Sequence, residues 1–260
     1  MSRTRRLMSN FGIFGVATLG TQIVSFVLVP VYTHALTPDE FGTVDLVITA
    51  AALLLPLVSM AVSEAVLRFV MSSKEDKTAV TTNSVALGAI GVSCFLATYP
   101  VAAIVGALPG LLPYAYAVVV IQVVHGVAAQ YSRASGRIMT YAAAGILQSL
   151  LLGGSNIVLL VLLDFGAEGF LASVVLSSFL AALVMALGSG MHRDLRLRTL
   201  DPTLMRRLLA YAVPLVPNSA LWWLVVSANR YFLLLFTGVG TVGVFAIANR
   251  VPLLLAAVTS

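Results

Sequence analysis

Apolar residues in this chain occur in long runs separated by short polar breaks, and this pattern constrains the fold more than any other feature. A bilayer core about 30 Å thick needs roughly 20 helical residues to cross it. The runs reach that length, and an eighth run begins near residue 242. The predicted spans cover residues 11–36, 43–70, 80–107, 112–132, 138–163, 168–190 and 208–236.

Charged residues are too scarce for a water-soluble domain. Hydrophobic residues make up 60% of the chain and charged residues 10%, whereas an ordinary soluble domain carries about 25% charged residues. The sequence therefore predicts an all-α, polytopic transmembrane helix bundle. Arg3, Arg5 and Arg6 precede the first run as in a secretory signal peptide. That run is longer than the roughly 7 to 15 residues of a signal core, so we predict a retained span.

The basic residues alternate between the breaks in a way that predicts the orientation. Of the 15 lysines and arginines, 13 fall on one side if the N-terminus is cytoplasmic. They are Arg3, Arg5, Arg6, Arg68, Lys74, Lys77, Arg133, Arg137, Arg193, Arg196, Arg198, Arg206 and Arg207. The opposite breaks carry Asp39, Glu40, Asp164 and Glu168 instead. Because cytoplasmic loops are enriched in lysine and arginine, we predict a cytoplasmic N-terminus.

Several function classes are excluded by what the sequence lacks. The net charge of +5 lies in the breaks rather than in a basic patch, so nucleic acid is not an expected partner. Cys94 is the single cysteine, and the three histidines do not have the spacing of a metal site. No glycine-rich phosphate loop with a lysine occurs. We therefore expect a non-enzyme that uses neither cofactor nor metal.

The spacing of the spans suggests two lobes. The first hairpin, Phe11 to Val58, matches the layout of Ala212 to Thr259 when the two are offset by 201 residues. We predict a six-helix lobe over residues 1–190, a basic cytoplasmic connector over 191–207, and the first two helices of a second lobe over 208–260. The connector is either an amphipathic segment on the anionic inner leaflet or a plain charged loop.

Four stretches carry a family resemblance in their order and spacing. They are Pro30 to Leu46, Ser59 to Val70, Tyr211 to Leu233 and Gly243 to Val251. Together they resemble the oligosaccharide flippases, the polysaccharide-biosynthesis branch of the multidrug, oligosaccharidyl-lipid and polysaccharide exporter superfamily. One departure is Asn229, where family members commonly have an acidic residue before the arginine of the seventh span. Relatives have about twelve or more spans, so the resemblance implies that this chain is a fragment or a truncated reading frame.

The resemblance also implies a function. A flippase of this type moves a polyprenyl-pyrophosphate-linked oligosaccharide across the bacterial inner membrane during cell-surface polysaccharide synthesis, O-antigen and lipopolysaccharide export being typical cases. Its expected partners are the lipid-linked oligosaccharide, membrane lipid, and glycan polymerase or glycosyltransferase machinery. Two alternatives remain: a cation-coupled multidrug exporter of the same superfamily, and an inactive truncated membrane protein. The first span contains no Asp or Glu, which weighs against the drug exporter.

Two arginines, Arg230 and Arg250, are not at a cytoplasmic boundary. Each is about seven residues from the outer turn between the last two spans, hence roughly 10 Å along its helix. Because an arginine in the membrane is costly, such residues usually face protein or a water-filled pathway. We predict that both line a cationic cavity that binds substrate. The alternative is that their guanidinium groups extend to the outer headgroups.

Other polar residues within the spans have two interpretations each. Glu64 and Arg68 form a possible gating pair, although anchoring at the interface is the simpler account. Asp45 is a possible cation ligand, although a solvated carboxylate at a helix start explains it more simply. A further set recurs at helical spacing and either lines a hydrated cavity or joins helices: Gln22, Ser25, Gln122, His125, Gln148 and Asn156. Pro214 and Pro217 predict a kink in the seventh span.

Overall fold

The computed structural model describes residues 27–72, 75–249 and 252, and every regular element in those ranges is a helix. The α-helices are α1 (Val29–Ala35), α2 (Pro38–Val58), α3 (Val62–Met71), α4 (Lys77–Leu96), α5 (Tyr99–Ile104), α6 (Leu112–Ala134), α7 (Ile138–Asn156), α8 (Gly166–Ser189), α9 (Pro202–Ala212), α10 (Leu215–Thr237) and α11 (Val239–Ala248). A π-helical segment, Ile157–Leu162, extends α7, and two short 3₁₀ turns lie between α8 and α9.

Six stretches of this set have the length and apolar composition needed to cross a membrane. They are Pro38–Val58, Lys77–Ile104, Leu112–Ala134, Ile138–Leu162, Gly166–Ser189 and Pro202–Thr237. Helix α11 is apolar but shorter. The prediction of an all-α polytopic bundle is therefore confirmed. Only the end of the predicted first span lies in the described residues, as α1; the rest of that span lies outside them, as do Gln22 and Ser25.

Local capping determines where several helices begin. At the start of α2 the Thr37 hydroxyl accepts a hydrogen bond from the Glu40 amide, and the Glu40 carboxylate accepts one from the Thr37 amide. Pro38 occupies the first position of the helix, where its missing N–H has no partner to lose. Asp76 and Asp201 cap α4 and α9 by accepting hydrogen bonds from the amides of Thr78 and Thr203. Helix α2 thus begins five residues before the predicted start of its span, because the polar cap is part of the helix.

The predicted second span is interrupted. Helix α2 ends at Val58, and Met60 and Ala61 take left-handed conformations with φ of 50° and 51° before α3 begins at Val62. Such conformations are costly for residues with a side chain. They occur where Gly91 of α4 contacts the carbonyl of Val58 so closely that a methyl group at Gly91 would overlap it. Hydropathy predicted one continuous span here because the break depends on a neighbouring helix.

The seventh span is also divided. Helix α9 ends at Ala212 and α10 begins at Leu215, and Pro214 lies between them where the prolines predicted a kink. The leading half is well covered, since Leu204, Leu208 and Ala212 are buried. By contrast, Ser227 is the one buried residue of α10. Most of the apolar surface of α10 therefore has no protein covering it within the described part of the chain.

Two buried clusters hold the bundle together, one toward each end. At the predicted inner end, side chains of α3, α4, α6, α8 and α9 pack around Val66, Tyr131 and Leu208. At the predicted outer end, Tyr32, Phe41 and Phe170 form a three-ring contact with centroid distances of 5.1 to 6.1 Å. This second cluster places α1, α2 and α8 against one another. The cluster therefore holds α2 in place between its neighbours.

Helices α2 and α11 cross at a pair of glycines, Gly42 and Gly243, which we call the outer crossing. A Cβ atom on Gly42 would overlap the carbonyl of Val239, and one on Gly243 would overlap the carbonyl of Pro38. Each such atom would also lie 3.0 Å from the amide nitrogen of the opposite glycine. Gly243 follows Gly42 by 201 residues, and Val239 follows Pro38 by the same 201. Each glycine therefore contacts the residue four positions before the other glycine. The two contacts are related by the 201-residue offset of the sequence repeat.

We expect Gly42→Ala and Gly243→Ala each to destabilise the protein by about 1 to 3 kcal/mol, because the added methyl group meets backbone that cannot move aside. Thermal unfolding in detergent measures this as a lower Tm. Gly145→Ala is the matched control, since a Cβ there meets no atom within 4 Å. Alanine also favours a helix over glycine, so the control should hold or raise the Tm. An equal loss in all three variants would contradict the importance of the crossing.

The connector between α8 and α9 is bound to the side of α4. The Asn83 amide donates to the carbonyl of Thr199 at 2.9 Å and accepts from the amide of Asp201 at 2.9 Å. Asp194 pairs with Lys77 at 3.2 Å and accepts from the Tyr131 hydroxyl. Burial of Asp194 favours its neutral form, but the bonds from Tyr131 and Lys77 outweigh burial and hold its pKa below its usual value. The carboxylate therefore stabilises docking above the pKa of an unfolded aspartate and ceases to do so as the pH falls through the lowered pKa.

The outward face of the connector fits either interpretation offered for it. Arg193, Arg196 and Arg198 are exposed there, and so is Leu197, at 82% of its maximum. The inward face is attached to protein by the contacts of Asn83 and Asp194. The connector therefore has a defined conformation, which a plain charged loop does not need.

Removing the Asn83 amide should free this connector. We expect trypsin to cut Asn83→Ala at the connector arginines roughly tenfold faster, because two backbone groups lose their buried partner. Thr81→Val is the control, since the buried Thr81 hydroxyl bonds to the Lys77 carbonyl of its own helix. Equal cleavage of parent and Asn83→Ala in membrane vesicles would contradict the docking.

Candidate functional site

Arg230, one of the two predicted substrate-binding arginines, forms an ion pair inside the bundle. Its Nε donates to Oδ2 of Asp45 at 2.6 Å, and the side chains are 15% and 17% exposed. Asp45 lies seven residues after the start of α2, and Arg230 lies seven residues before the end of α10. At 1.5 Å per residue, both lie roughly 10 Å from the predicted outer end. The pair therefore joins the second and seventh spans at one depth.

Two further contacts surround this pair. The Arg230 guanidinium lies 6.0 Å from the ring centroid of Phe245 on α11. One turn deeper, Trp223 Nε1 donates to the carbonyl of Thr49 at 2.7 Å. Asp45 and Thr49 are four apart on α2, and Trp223 and Arg230 are seven apart on α10, so each pair of residues shares a helix face. Helix α2 thus contacts α10 through two polar interactions, with α11 closing the third side.

The pairing explains how the membrane accommodates Arg230. An isolated arginine at this depth is costly, and a carboxylate within hydrogen-bonding distance lowers that cost. Sequence reasoning identified both residues but not their contact, and it explained Asp45 more simply as a solvated carboxylate. The structure instead places Asp45 against Arg230 with little exposure. The signal that could have found the pair is the equal depth of the two residues on antiparallel spans.

Arg250, the second predicted arginine, lies outside the described residues. Glu64 and Arg68 lie within them, on α3, and have different partners. Glu64 accepts from Gln130 Nε2 at 3.1 Å, while the Arg68 guanidinium lies 4.4 Å from the ring centroid of Tyr211 on α9. Arg68 thus reaches from the second span to the seventh at the predicted inner end.

The predicted polar set makes contacts between helices of the first six spans. Gln148 Nε2 on α7 donates to the Ser178 hydroxyl on α8 at 3.1 Å. Nε2 of His125 on α6 is buried and has no hydrogen-bond partner among the described residues. Asn156 Nδ2 donates to the Tyr32 hydroxyl at 3.2 Å. Gln122 is half-buried on α6. For Gln148 and Asn156, these contacts favour the interpretation that the residues join helices over the interpretation that they line a hydrated cavity.

Within the described ranges, no three His, Cys, Asp or Glu side chains come together as a metal site would require. The chemistry that the arrangement offers is electrostatic. A guanidinium in a poorly hydrated region can bind an anion strongly and can also be neutralised by a carboxylate. The Asp45–Arg230 pair brings such a guanidinium and such a carboxylate together.

Comparisons with known proteins identify a family but no individual relative. No curated protein and no solved structure matches the chain significantly. A family model described as polysaccharide biosynthesis protein matches residues 7–259. The match includes Asp45, Arg230 and both glycines of the outer crossing. With nearly the whole length covered, the chain belongs to the polysaccharide biosynthesis protein family.

Proposed function

We propose that the protein is a flippase that moves a polyprenyl-pyrophosphate-linked oligosaccharide from the cytoplasmic to the outer leaflet of the bacterial inner membrane. Members of its family are membrane transporters rather than enzymes. Lipid-linked glycans must cross the membrane with their charged pyrophosphate. A protein that carries them needs a cationic group at membrane depth.

The observation that supports this proposal most directly is the position of Arg230. Arg230 lies roughly 10 Å from the predicted outer end of α10. Its guanidinium contacts Asp45 on α2 and lies near Phe245 on α11. Guanidinium matches phosphate oxygens in bidentate geometry, which an ammonium group does not reproduce. An arginine extending to the headgroups would not need a buried carboxylate, whereas Arg230 has one in Asp45.

The arrangement of the lobes also supports the proposal. Flippases of this architecture alternate by moving one repeat against the other around a site between them. The outer crossing and the Asp45–Arg230 pair join α2 of the first repeat to α10 and α11 of the second. In this interpretation the described conformation is closed toward the outer leaflet.

A translocation assay tests the function. The protein, expressed from its complete gene in a host without other flippases, should deliver a radiolabelled lipid-linked glycan to the outer leaflet. Arrival is measured by a periplasmic enzyme that cleaves the pyrophosphate. A matched strain without the gene sets the background. The proposal is refuted if the protein, present at a normal level, delivers none of the host's glycan lipids to the outer leaflet faster than the strain without the gene.

The drug-exporter alternative would need a carboxylate free to bind a cation within the membrane. Asp45 is a candidate, since it is 17% exposed at membrane depth. Arg230 already neutralises it, which disfavours this function. A gain of drug resistance in a pump-deficient host would reverse the ranking.

The proposed orientation places the N-terminus in the cytoplasm. Reporter tags inserted after Gly110 or Asp164 should therefore signal the outer side, and tags after Ser135 or Arg198 the cytoplasm. All four positions lie in turns between helices, so insertion should leave the spans intact. Alkaline phosphatase and green fluorescent protein fusions measure the two sides. The same compartment at Gly110 and Ser135 would contradict the topology.

A further inference from the structure

We infer that Asp45 is an exchangeable counter-ion of Arg230: a pyrophosphate lipid displaces it, and the displacement loosens the outer crossing. The inference rests on the proposed function and identifies Asp45 as a positioning residue for it. It follows from the geometry around Asp45, Arg230 and the two glycines.

The guanidinium has capacity for a second anion. Arginine carries five N–H donors in a planar fork. Among the described residues, one hydrogen bond engages it, from Nε to Asp45 Oδ2. A guanidinium also has a second fork, made of one N–H from each terminal nitrogen, and this fork can donate to two phosphate oxygens side by side. A pyrophosphate offers more charge and more acceptors than one carboxylate, so it is the stronger partner for the same cation.

Both anions cannot remain close together at this depth. Like charges repel strongly where water is scarce, and each side chain of the pair is less than one-fifth exposed. Arrival of the pyrophosphate therefore favours departure of the Asp45 carboxylate. Its helix can then move relative to α10.

The departure affects the crossing because Asp45 follows Gly42 by three residues on α2. In the described chain it supplies the charged contact between α2 and α10, and Trp223 with Thr49 supplies a neutral one. Without the ion pair, α2 keeps that hydrogen bond to α10 and its close glycine packing against α11. A ligand shifts a conformational equilibrium only by its difference in affinity between two states. Exchange at Arg230 provides such a difference.

A disulfide can report whether the outer crossing is closed. A Cβ on Gly240 would lie 3.9 Å from the Cβ of Pro38, within the range of about 3.5 to 4.5 Å found for disulfides. The native Cys94 is the single cysteine. The variant with Cys94→Ser, Pro38→Cys and Gly240→Cys, called the reporter protein, therefore contains one possible intrachain disulfide within residues 1–260.

The experiment uses the reporter protein from its complete gene in membrane vesicles, with farnesyl pyrophosphate as the probe and copper phenanthroline as the oxidant. We expect the probe to slow cross-linking roughly tenfold, the lower end of what a hydrogen bond between charged groups contributes. Asp45→Asn should cross-link slowly even without the probe. It should also bind the probe about tenfold more tightly, because the competing carboxylate is gone.

Controls separate the exchange from general effects of charge. Asp164→Asn removes an exposed carboxylate from a turn at the same end and should match the reporter protein. Arg230→Ala should cross-link slowly and should not bind the probe. The effect of the probe on the reporter protein needs no change at Asp45, so it decides the question even if Asp45→Asn fails to fold.

Unchanged cross-linking on probe binding, or equal probe affinity in Asp45→Asn and the reporter protein, would overturn the exchange. If the parent still exports glycan in the translocation assay, the proposed function survives that result. Exchange without any export would reject the proposed function and retain the inference about the anion.

Discussion

Arg230→Ala should reduce export at least tenfold, whereas Arg230→Lys should retain part of it. The alanine variant loses every donor that Arg230 offers to the pyrophosphate, and each hydrogen bond to a charged group contributes about 1.5 to 3 kcal/mol. Lysine keeps the positive charge and loses the bidentate fork. The translocation assay at matched protein levels measures both.

Interpreting that loss requires a second variant, because Arg230→Ala also leaves Asp45 as an unpaired carboxylate within the bundle. Breaking a buried pair on one side typically costs about 3 to 5 kcal/mol. Arg230→Ala combined with Asp45→Asn removes both charges and should recover much of the thermal stability. Its export should stay low, because the guanidinium is still absent. Recovery of export together with stability would show that Arg230 serves the fold alone.

Arg250 extends the same test. If it shares the site, Arg250→Ala should lower export as Arg230→Ala does. An arginine that only reaches the headgroups would leave export near normal when replaced. Near-normal export by the variant that combines Arg230→Ala with Arg250→Ala would contradict the hypothesis of a cationic cavity.

The helices of the third to sixth spans were predictable because local signals mark their ends. The predicted spans 112–132 and 138–163 correspond to Leu112–Ala134 and Ile138–Leu162. Glycines and prolines in the short breaks leave little room for other boundaries. The helical interruption at Met60 and Ala61 was not predictable, since it coincides with the close approach of α4 at Gly91.

The candidate site was predictable only in its parts. Depth along a helix follows from counting residues, so Arg230 stood out as an intramembrane cation. Its partner is 185 residues away in sequence, and a single sequence gives no measure of which helix faces meet. The offset of 201 residues carried more information than the side-chain identities suggested. It related Gly42 to Gly243, and these glycines make reciprocal contacts.

Cross-linking the outer crossing should stop export completely and reversibly. In the reporter protein, oxidation joins residue 38 on α2 to residue 240 on α11, and α2 then cannot separate from α11. Release to the outer leaflet requires that separation if the lobes alternate about a central site. We expect export to fall to background after oxidation and to return when dithiothreitol reduces the disulfide.

A matched disulfide within the first lobe separates this effect from rigidity in general. A Cβ on Gly188 would lie 3.8 Å from the Cβ of Thr140, so Gly188→Cys with Thr140→Cys links α7 to α8 at nearly the same spacing. Both helices belong to the predicted first lobe and should move together. This disulfide should therefore leave most export intact, as should each single cysteine variant after oxidation. Normal export by the oxidised reporter protein would mean that α2 and α11 stay in contact throughout transport, and the outer crossing would then be a static packing contact.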